Sequence, residues 1–169
     1  LKLIENVKQS NPSTEISDLL IRSFLTASIT REIAEHSAVT DVGETYICGL
    51  LFSLGEILVA YTLPERYRKM VELRDQPDSN WEHIQLEELG GHFSDIGQDI
   101  AQSWGFPQSV VNSMDLMSAE DQPGEVLCNH QLASIADQLL KLIYNQSDGC
   151  QQQFSSLLKR LEETTGQSS

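Results

Sequence analysis

The stretch Gly49-Leu50-Leu51-Phe52-Ser53-Leu54-Gly55-Glu56-Ile57-Leu58-Val59-Ala60 decides how this chain folds. Between Glu44 and Tyr61 apolar side chains go almost all the way round a helical wheel: Tyr46, Ile47, Leu50, Leu51, Phe52, Leu54, Ile57, Leu58 and Val59. A helix apolar on every side is a central, buried one. Asp41 is placed to cap it, with Glu44 three residues on to return the hydrogen bond. Gly49 and Gly55 each cost a helix about 1 kcal/mol relative to alanine. Two of them in one buried helix therefore predict close approach by neighbouring elements.

Working outward, the punctuation is of the helical kind. Asn11-Pro12-Ser13, Thr40-Asp41, Thr62-Leu63-Pro64, Asp78-Ser79, Gly90-Gly91, Gly105-Phe106-Pro107, Gln122-Pro123-Gly124 and Asp148-Gly149 separate apolar-periodic segments, and no hairpin signal lies among them. From Ser13 to Glu35, Ile16, Leu19, Leu20, Phe24, Ala27 and Ile33 recur at three- and four-residue spacing, which predicts an amphipathic helix facing a core. Thr62 with Glu65, and Ser79 with Glu82, have the spacing of capping boxes. Gly105 is suited to end the helix bearing Ile96, Ile100 and Trp104, and Pro107 to start the next, with Phe106 packing back on the core. A long helix is predicted from Glu125 to Tyr144, with Val126, Leu127, Leu132, Ile135, Ala136, Leu139, Leu140 and Ile143 inward. A last helix spans Cys150 to Leu161, and residues 164–169 form a frayed polar tail. The expected fold is all-α, a single domain over residues 1–169 built as a bundle of about eight helices.

Composition narrows the function. A formal net charge of -14 and a pI near 4.5 repel polyanions, and no stripe of Lys and Arg offsets them, so nucleic acid is not an expected partner. The basic groupings Arg66-Tyr67-Arg68-Lys69 and Lys159-Arg160 sit among glutamates and read as solvated helix faces. Cys48, Cys128 and Cys150 lack Cys-x-x-Cys spacing, which indicates neither a disulfide framework nor a zinc ribbon and fits a reducing, cytoplasmic setting. The longest apolar run is interrupted by Ser53, Gly55 and Glu56 and reads as too short and too polar to span a bilayer, and no secretory leader opens the chain. The chain opens on Leu1 without a methionine, which leaves a place within a longer protein open, and no membrane contact is expected.

Three separated motifs carry a resemblance. The first runs from Gly49 through Leu63-Pro64-Glu65-Arg66-Tyr67; the second is Glu87-Glu88-Leu89-Gly90 through Gly97; the third is Trp104-Gly105-Phe106-Pro107 with Val110-Val111. In order and spacing they resemble the HDOD (HD-related output domain) family of bacterial signal transduction, over roughly Ser23 to Ile143. The family's N-terminal helical region is represented at most by residues Leu1 to Gln9. The resemblance implies an HD-like helical fold. It also implies that members keeping metal ligands would have histidine near Ala27, an adjacent His-Asp pair at Phe52 and Ser53, histidine near Phe93, and a His-His pair near Met117 and Ser118. Every one of these positions is non-coordinating here. A one-residue shift would bring His92 to the place of Phe93, yet one imidazole does not make a multi-ligand site.

Other chemistry is weaker still. His36, His83, His92 and His130 lack the pairing by which one helix presents two ligands, and each reads as a surface or hydrogen-bonded histidine. Ser53 sits outside a Gly-x-Ser-x-Gly elbow and reads as a buried serine bonded to a helical carbonyl. Cys48 reads as a small core residue, the Asp95 and Asp99 pair as a solvated face, and Gly90-Gly91 lacks the Lys-Ser/Thr of a phosphate loop. Phe52, Phe93 and Met117 are expected to fill the old metal cavity with apolar groups.

The sequence therefore predicts a non-catalytic signalling or regulatory module that works by protein-protein contact and needs no cofactor. As the resemblance implies, its partners would be receiver or cyclic-dinucleotide signalling proteins. An HD-type metal-dependent phosphohydrolase and a small-ligand sensor are the alternatives. Trp81 and the Met114-Asp115-Leu116-Met117 stretch are the candidate contact surfaces.

Overall fold

The computed structural model describes residues 12–37, 41–115, 124–145 and 150–165, and among these it is all-α with no strand. The helices are α1 (Pro12–Glu35), α2 (Val42–Leu51), α3 (Leu54–Thr62), α4 (Pro64–Arg74), α5 (Trp81–Leu89), α6 (Phe93–Ser103), α7 (Gln108–Asn112), α8 (Gly124–Asn145) and α9 (Cys150–Thr165). They fall into two packed groups. α1, α2 and α8 lie against one another with α9 packed on α8, α3 packs on α6 and α4, α5 packs on α4, and α1 with α7 bridge the two groups.

The single central helix expected from Glu44 to Tyr61 is instead two, α2 and α3, broken at Phe52 and Ser53. Ser53, at φ -102° and ψ 15°, leaves the helical region and turns the chain, in keeping with the preference of serine for helix starts over helix interiors. Its hydroxyl makes no capping bond. The two glycines flank the break and explain it in part. A Cβ on Gly49 would lie 2.9 Å from Ala27 Cα and 2.8 Å from Thr30 Oγ1, and one on Gly55 would lie 1.8 Å from the Phe93 carbonyl oxygen. α2 is thus pressed on α1 and α3 on α6, each at a point where only a hydrogen fits. By length and composition the Val42–Thr62 span is apolar enough to cross a bilayer, contrary to the expectation from its polar interruptions, but half of its most apolar window is buried within the bundle.

Tight approach at Gly49 also reverses part of the reading of α1. Its buried face is Leu19, Ser23, Thr26, Ala27, Thr30 and Ala34, whereas Leu20 is 53% and Phe24 57% exposed. Small side chains permit the close contact with α2, and two of the hydroxyls bond backbone carbonyls: Ser23 donates to the Leu50 carbonyl and Thr30 to the Thr26 carbonyl at 2.6 Å. On α8 the expected inward residues Val126, Leu132, Ile135, Ala136 and Leu140 are buried, but Ile143 is exposed. Two apolar clusters complete the core. One gathers Leu19, Val59, Ala60 and Tyr67, and the other Leu54, Ala101, Val111 and Met114, with Leu51, Leu58, Ile100 and Phe106 packed against it.

The corner at Gly105 forms as expected. Gly105 has φ +78°, its N–H donates to the Gln102 carbonyl at 3.0 Å, and the Phe106 N–H reaches back to Ala101 at 3.1 Å, the paired bonds of a Schellman motif. Phe106 then packs on the core. The capping boxes fare less well. Asp41 accepts from the Glu44 N–H at 2.8 Å, but the Glu44 carboxylate turns inward, as described below. The cap of α4 is Leu63 followed by Pro64, with no side-chain bond, because the Thr62 hydroxyl is engaged by the Leu58 carbonyl at 2.7 Å. α5 is capped one residue later than expected, by Asn80, whose side chain accepts from the His83 N–H at 3.0 Å. α9 runs on through Thr165, and the Thr164 hydroxyl lies 3.2 Å from Gln131 Oε1, so the expected fraying does not begin at Thr164.

Candidate functional site

The positions at which metal ligands would stand are separated into different surroundings. Ala27 is fully buried against Gly49. Phe52, at the α2–α3 break, sets its ring 5.6 Å from that of His130 on α8. Ser53 is buried beside it. Phe93, at the start of α6, lies 6.4 Å from the ring of Tyr67 and 5.6 Å from that of Trp81, in the first apolar cluster rather than with Phe52. Met117 and Ser118 lie outside the described residues. Phe93 thus packs against the first apolar cluster, while the ring contact made by Phe52 is with His130. Trp81 is half-buried between Phe93 and the Arg74 guanidinium, whose carbon is 5.0 Å from the ring centroid. The exposed tryptophan is Trp104, at 59%. Met114, of the candidate contact stretch, is buried in the second cluster.

Around the break the interior is polar in two places that the sequence did not reveal. The first is charged. Arg22 on α1 donates from its Nη2 to Glu56 Oε2 of α3 at 2.6 Å, and Tyr67 of α4 donates to Glu56 Oε1 at 2.9 Å. Asp137 of α8 lies 3.3 Å from Arg22 Nε through Oδ1 and 2.6 Å from Lys141 Nζ through Oδ2. Burial works against the charged guanidinium, yet the Glu56 and Asp137 carboxylates outweigh it and hold Arg22 above its ordinary value. Burial, then the neighbouring Glu56 charge, pushes the Tyr67 hydroxyl far up, so it serves only as a neutral donor.

The second region is mostly neutral. The Glu44 carboxylate of α2 accepts from Ser109 at 3.0 Å and from Asn129 Nδ2 at 3.4 Å, while the Thr45 hydroxyl lies 2.7 Å from Asn129 Oδ1. Nearby, His130 Nδ1 is 2.7 Å from the Ser113 carbonyl oxygen. A carbonyl only accepts, so Nδ1 carries the proton. Burial lowers the His130 pKa from its ordinary 6.5, leaving the ring neutral. Burial likewise pushes the Cys48 thiol up to about 11, which removes it as a nucleophile at neutral pH and bears out its reading as a core residue. A spacing argument could not find His130 or Glu56, since their partners come from distant helices.

The other histidines and acids are dispersed. His36 contacts the Glu32 carbonyl at 2.9 Å and His83 contacts Glu87 at 3.1 Å, both exposed, while the His92 N–H donates to Asp95 at 2.8 Å at the start of α6. Arg68 pairs with Glu65 and Lys69 with Glu88 on a solvated face. Among the described residues no three His, Cys, Asp or Glu side chains converge as a metal site would require. The donor set at Ala27, Phe52, Ser53 and Phe93 does not fit a divalent cation, and no chemistry is derived through one.

The all-α bundle defines the class, and the comparisons define the family. The HDOD domain family matches residues 2–119, and the chain belongs to it. A curated relative from Treponema pallidum (strain Nichols), named only as an uncharacterized protein, is 34% identical over 76 residues, covering 43% of this chain and 14% of its own length. Three solved structures share the fold. A Shewanella amazonensis SB2B protein whose name reads "Putative phosphohydrolase" aligns at TM-score 0.69 and 20% identity, covering 94% of this chain and 56% of its own. An HDOD domain protein with unknown function from Geobacter sulfurreducens aligns at 0.70 and 16%, covering 89% and 54%. A fragment of the response regulator MmoQ from Methylococcus capsulatus str. Bath aligns at 0.66 and 16%, covering 90% and 58%. The chain thus spans little more than half the length of these structures and a smaller share of the curated relative.

Proposed function

We propose that this HDOD domain is a non-catalytic signalling module that acts through protein-protein contact in a bacterial signal-transduction pathway. The observation that carries the reading is the filling of the positions for ligands. Ala27 closes on Gly49, Phe52 packs on a neutral His130, and Phe93 belongs to a separate aromatic cluster, so side chains occupy the space in which a metal-bound water would have to work. Shape is then what the domain offers. The resemblance to a response regulator fragment supports a place beside receiver or cyclic-dinucleotide signalling proteins, in the cytoplasm.

The alternative of an HD-type phosphohydrolase draws on the name of one structural neighbour and on nothing in the donor set. Elemental analysis of the purified protein, with phosphodiesterase assays in added manganese, iron or zinc, separates the two. No stoichiometric metal and no turnover is the expected result. Tight metal binding with activity lost in His92→Ala or His130→Ala would overturn the reading. A sensor reading would need a ligand under Phe52 and Phe93. The groove of about 310 Å³ on the α1–α2 surface is lined instead by Phe24, Ser28, Arg31, Glu32, Glu35 and Tyr46, and native mass spectrometry would reveal any small molecule retained elsewhere.

A further inference from the structure

Leu20 and Ile21 of α1 are each 53% exposed and Phe24 is 57% exposed. The three form one patch, because residues three and four apart lie on the same side of a helix. At the same spacing the stripe continues through Ser28 to Arg31, Glu32 and Glu35, and from Phe24 onward it walls an open groove that Tyr46 of α2 also lines. α1 packs on α2 and α8 through its other, buried face, so the bundle does not need large apolar side chains at Leu20, Ile21 and Phe24. Large apolar groups left together in water and rimmed by polar ones mark contact surfaces.

Charge selects the occupant. Asp18 is exposed just before the patch, and Glu32 and Glu35 are exposed at the far end of the stripe. Glu35 accepts from Arg31 Nε at 2.7 Å, which cancels that cation and leaves Asp18 and Glu32 to make both ends negative. A second copy would bring the same acids, on a chain of net charge -14, against their own kind, and an anionic bilayer surface is disfavoured for the same reason. An amphipathic helix with apolar residues at i, i+3 and i+7 and Lys or Arg at both ends meets the apolar patch and the acids together. From Asp18 to Glu35 the stripe is about 26 Å long, the length of a partner helix of about five turns. Resting on the reading of the domain as a protein-contact module, we propose that the Leu20, Ile21 and Phe24 patch with the α1–α2 groove is the docking site for a basic amphipathic helix of a partner protein. Phe24 is its apolar anchor, and Asp18 and Glu32 select the charge of what docks.

The probe is a fluorescein-labelled peptide of about five helical turns, with leucines along one face and lysines at both ends; its counterpart carries glutamate in place of lysine. Fluorescence polarisation with the full chain is expected to show saturable one-to-one binding of the lysine peptide that weakens as salt rises, and far weaker binding of the glutamate peptide. Phe24→Ser, at an exposed position, should keep the thermal midpoint and weaken binding about tenfold. Glu32→Lys should weaken it about threefold and improve binding of the glutamate peptide. Trp104→Ser, which alters an exposed aromatic on the Gly105 corner, is the control and should change nothing. The docking site is overturned by an absence of saturable binding, by equal affinity for the two peptides, by full affinity in Phe24→Ser, or by self-association of the chain that Phe24→Ser abolishes. Binding kept in Phe24→Ser and lost in Trp104→Ser also overturns it but leaves the protein-contact reading standing, whereas stoichiometric metal with turnover overturns that reading itself.

Discussion

The two polar regions beside the α2–α3 break are close in sequence origin and unlike in physics. Around Arg22 four charged groups and a tyrosine draw α1, α3, α4 and α8 together. In the region of Glu44, Asn129 and His130 the contacts are an amide, hydroxyls, a backbone carbonyl and a neutral imidazole, with the Glu44 carboxylate among them. Removing one partner of a buried ion network strands a charge, whereas removing a member of the neutral region strands at most a dipole or leaves a small void. The comparison predicts that stability is concentrated in the Arg22 network while the neutral contacts on the Phe52 side are more tolerant of change. An enzyme would show the opposite distribution of consequence, with its ligand positions intolerant of change.

The largest effect is expected at Arg22. Arg22→Met leaves Glu56 and Asp137 buried with reduced compensation, and denaturant unfolding should register a loss of about 3 kcal/mol. A companion variant, Arg22→Met with Glu56→Gln, should recover part of that loss; if it recovers nothing, the charge argument fails. Next comes Gly55→Ala, whose methyl would meet the Phe93 backbone. Backbone cannot yield as a side chain can, so a loss of about 2–3 kcal/mol is expected, larger than that for Gly49→Ala. Equal losses at the two glycines would contradict the reading of the break.

Smaller still is Tyr67→Phe, which removes one donor to the Glu56 carboxylate and should cost about 1.5 kcal/mol in thermal or chemical unfolding. The smallest effect is a pH dependence on the Phe52 side. Burial depresses the folded-state pKa of His130 below its ordinary 6.5, so the unfolded chain binds the proton more readily. Stability is then intact above pH 6.5 and declines as pH falls from there toward the depressed value. His130→Gln should flatten that part of the acid limb in a series of midpoints against pH. An unaltered slope would show that the ring is not buried in solution.

Much of the fold was legible because helix boundaries are local. The Gly105 corner, the Asp41 cap and the long α8 depend on residues within a turn of one another, and each forms where the pattern places it. The division of the central helix was not legible, since apolar periodicity runs unbroken through Phe52 and Ser53. Nor was the inward face of α1. Ser23, Thr26 and Thr30 read as polar by composition, yet all three are buried, and Thr30 lies with Ala27 against Gly49, where only small neighbours fit. At the candidate site the residue types at Ala27, Phe52, Ser53 and Phe93 were plain, but the contacts of Phe52 with His130 and of Phe93 with the first apolar cluster were not.

By itself the sequence determined that the chain is helical, where most helices begin and end, and that Ala27, Phe52 and Phe93 carry no metal-donor group, because propensity, capping and donor type are properties of residues and their near neighbours. Only the tertiary structure decided that Arg22, Glu56, Tyr67 and Asp137 meet, that Phe52 rests on His130, and that α1 turns its hydroxyls inward. Whether a polar or charged group can be buried depends on the partner that a distant helix brings to it, and no local pattern encodes that partner.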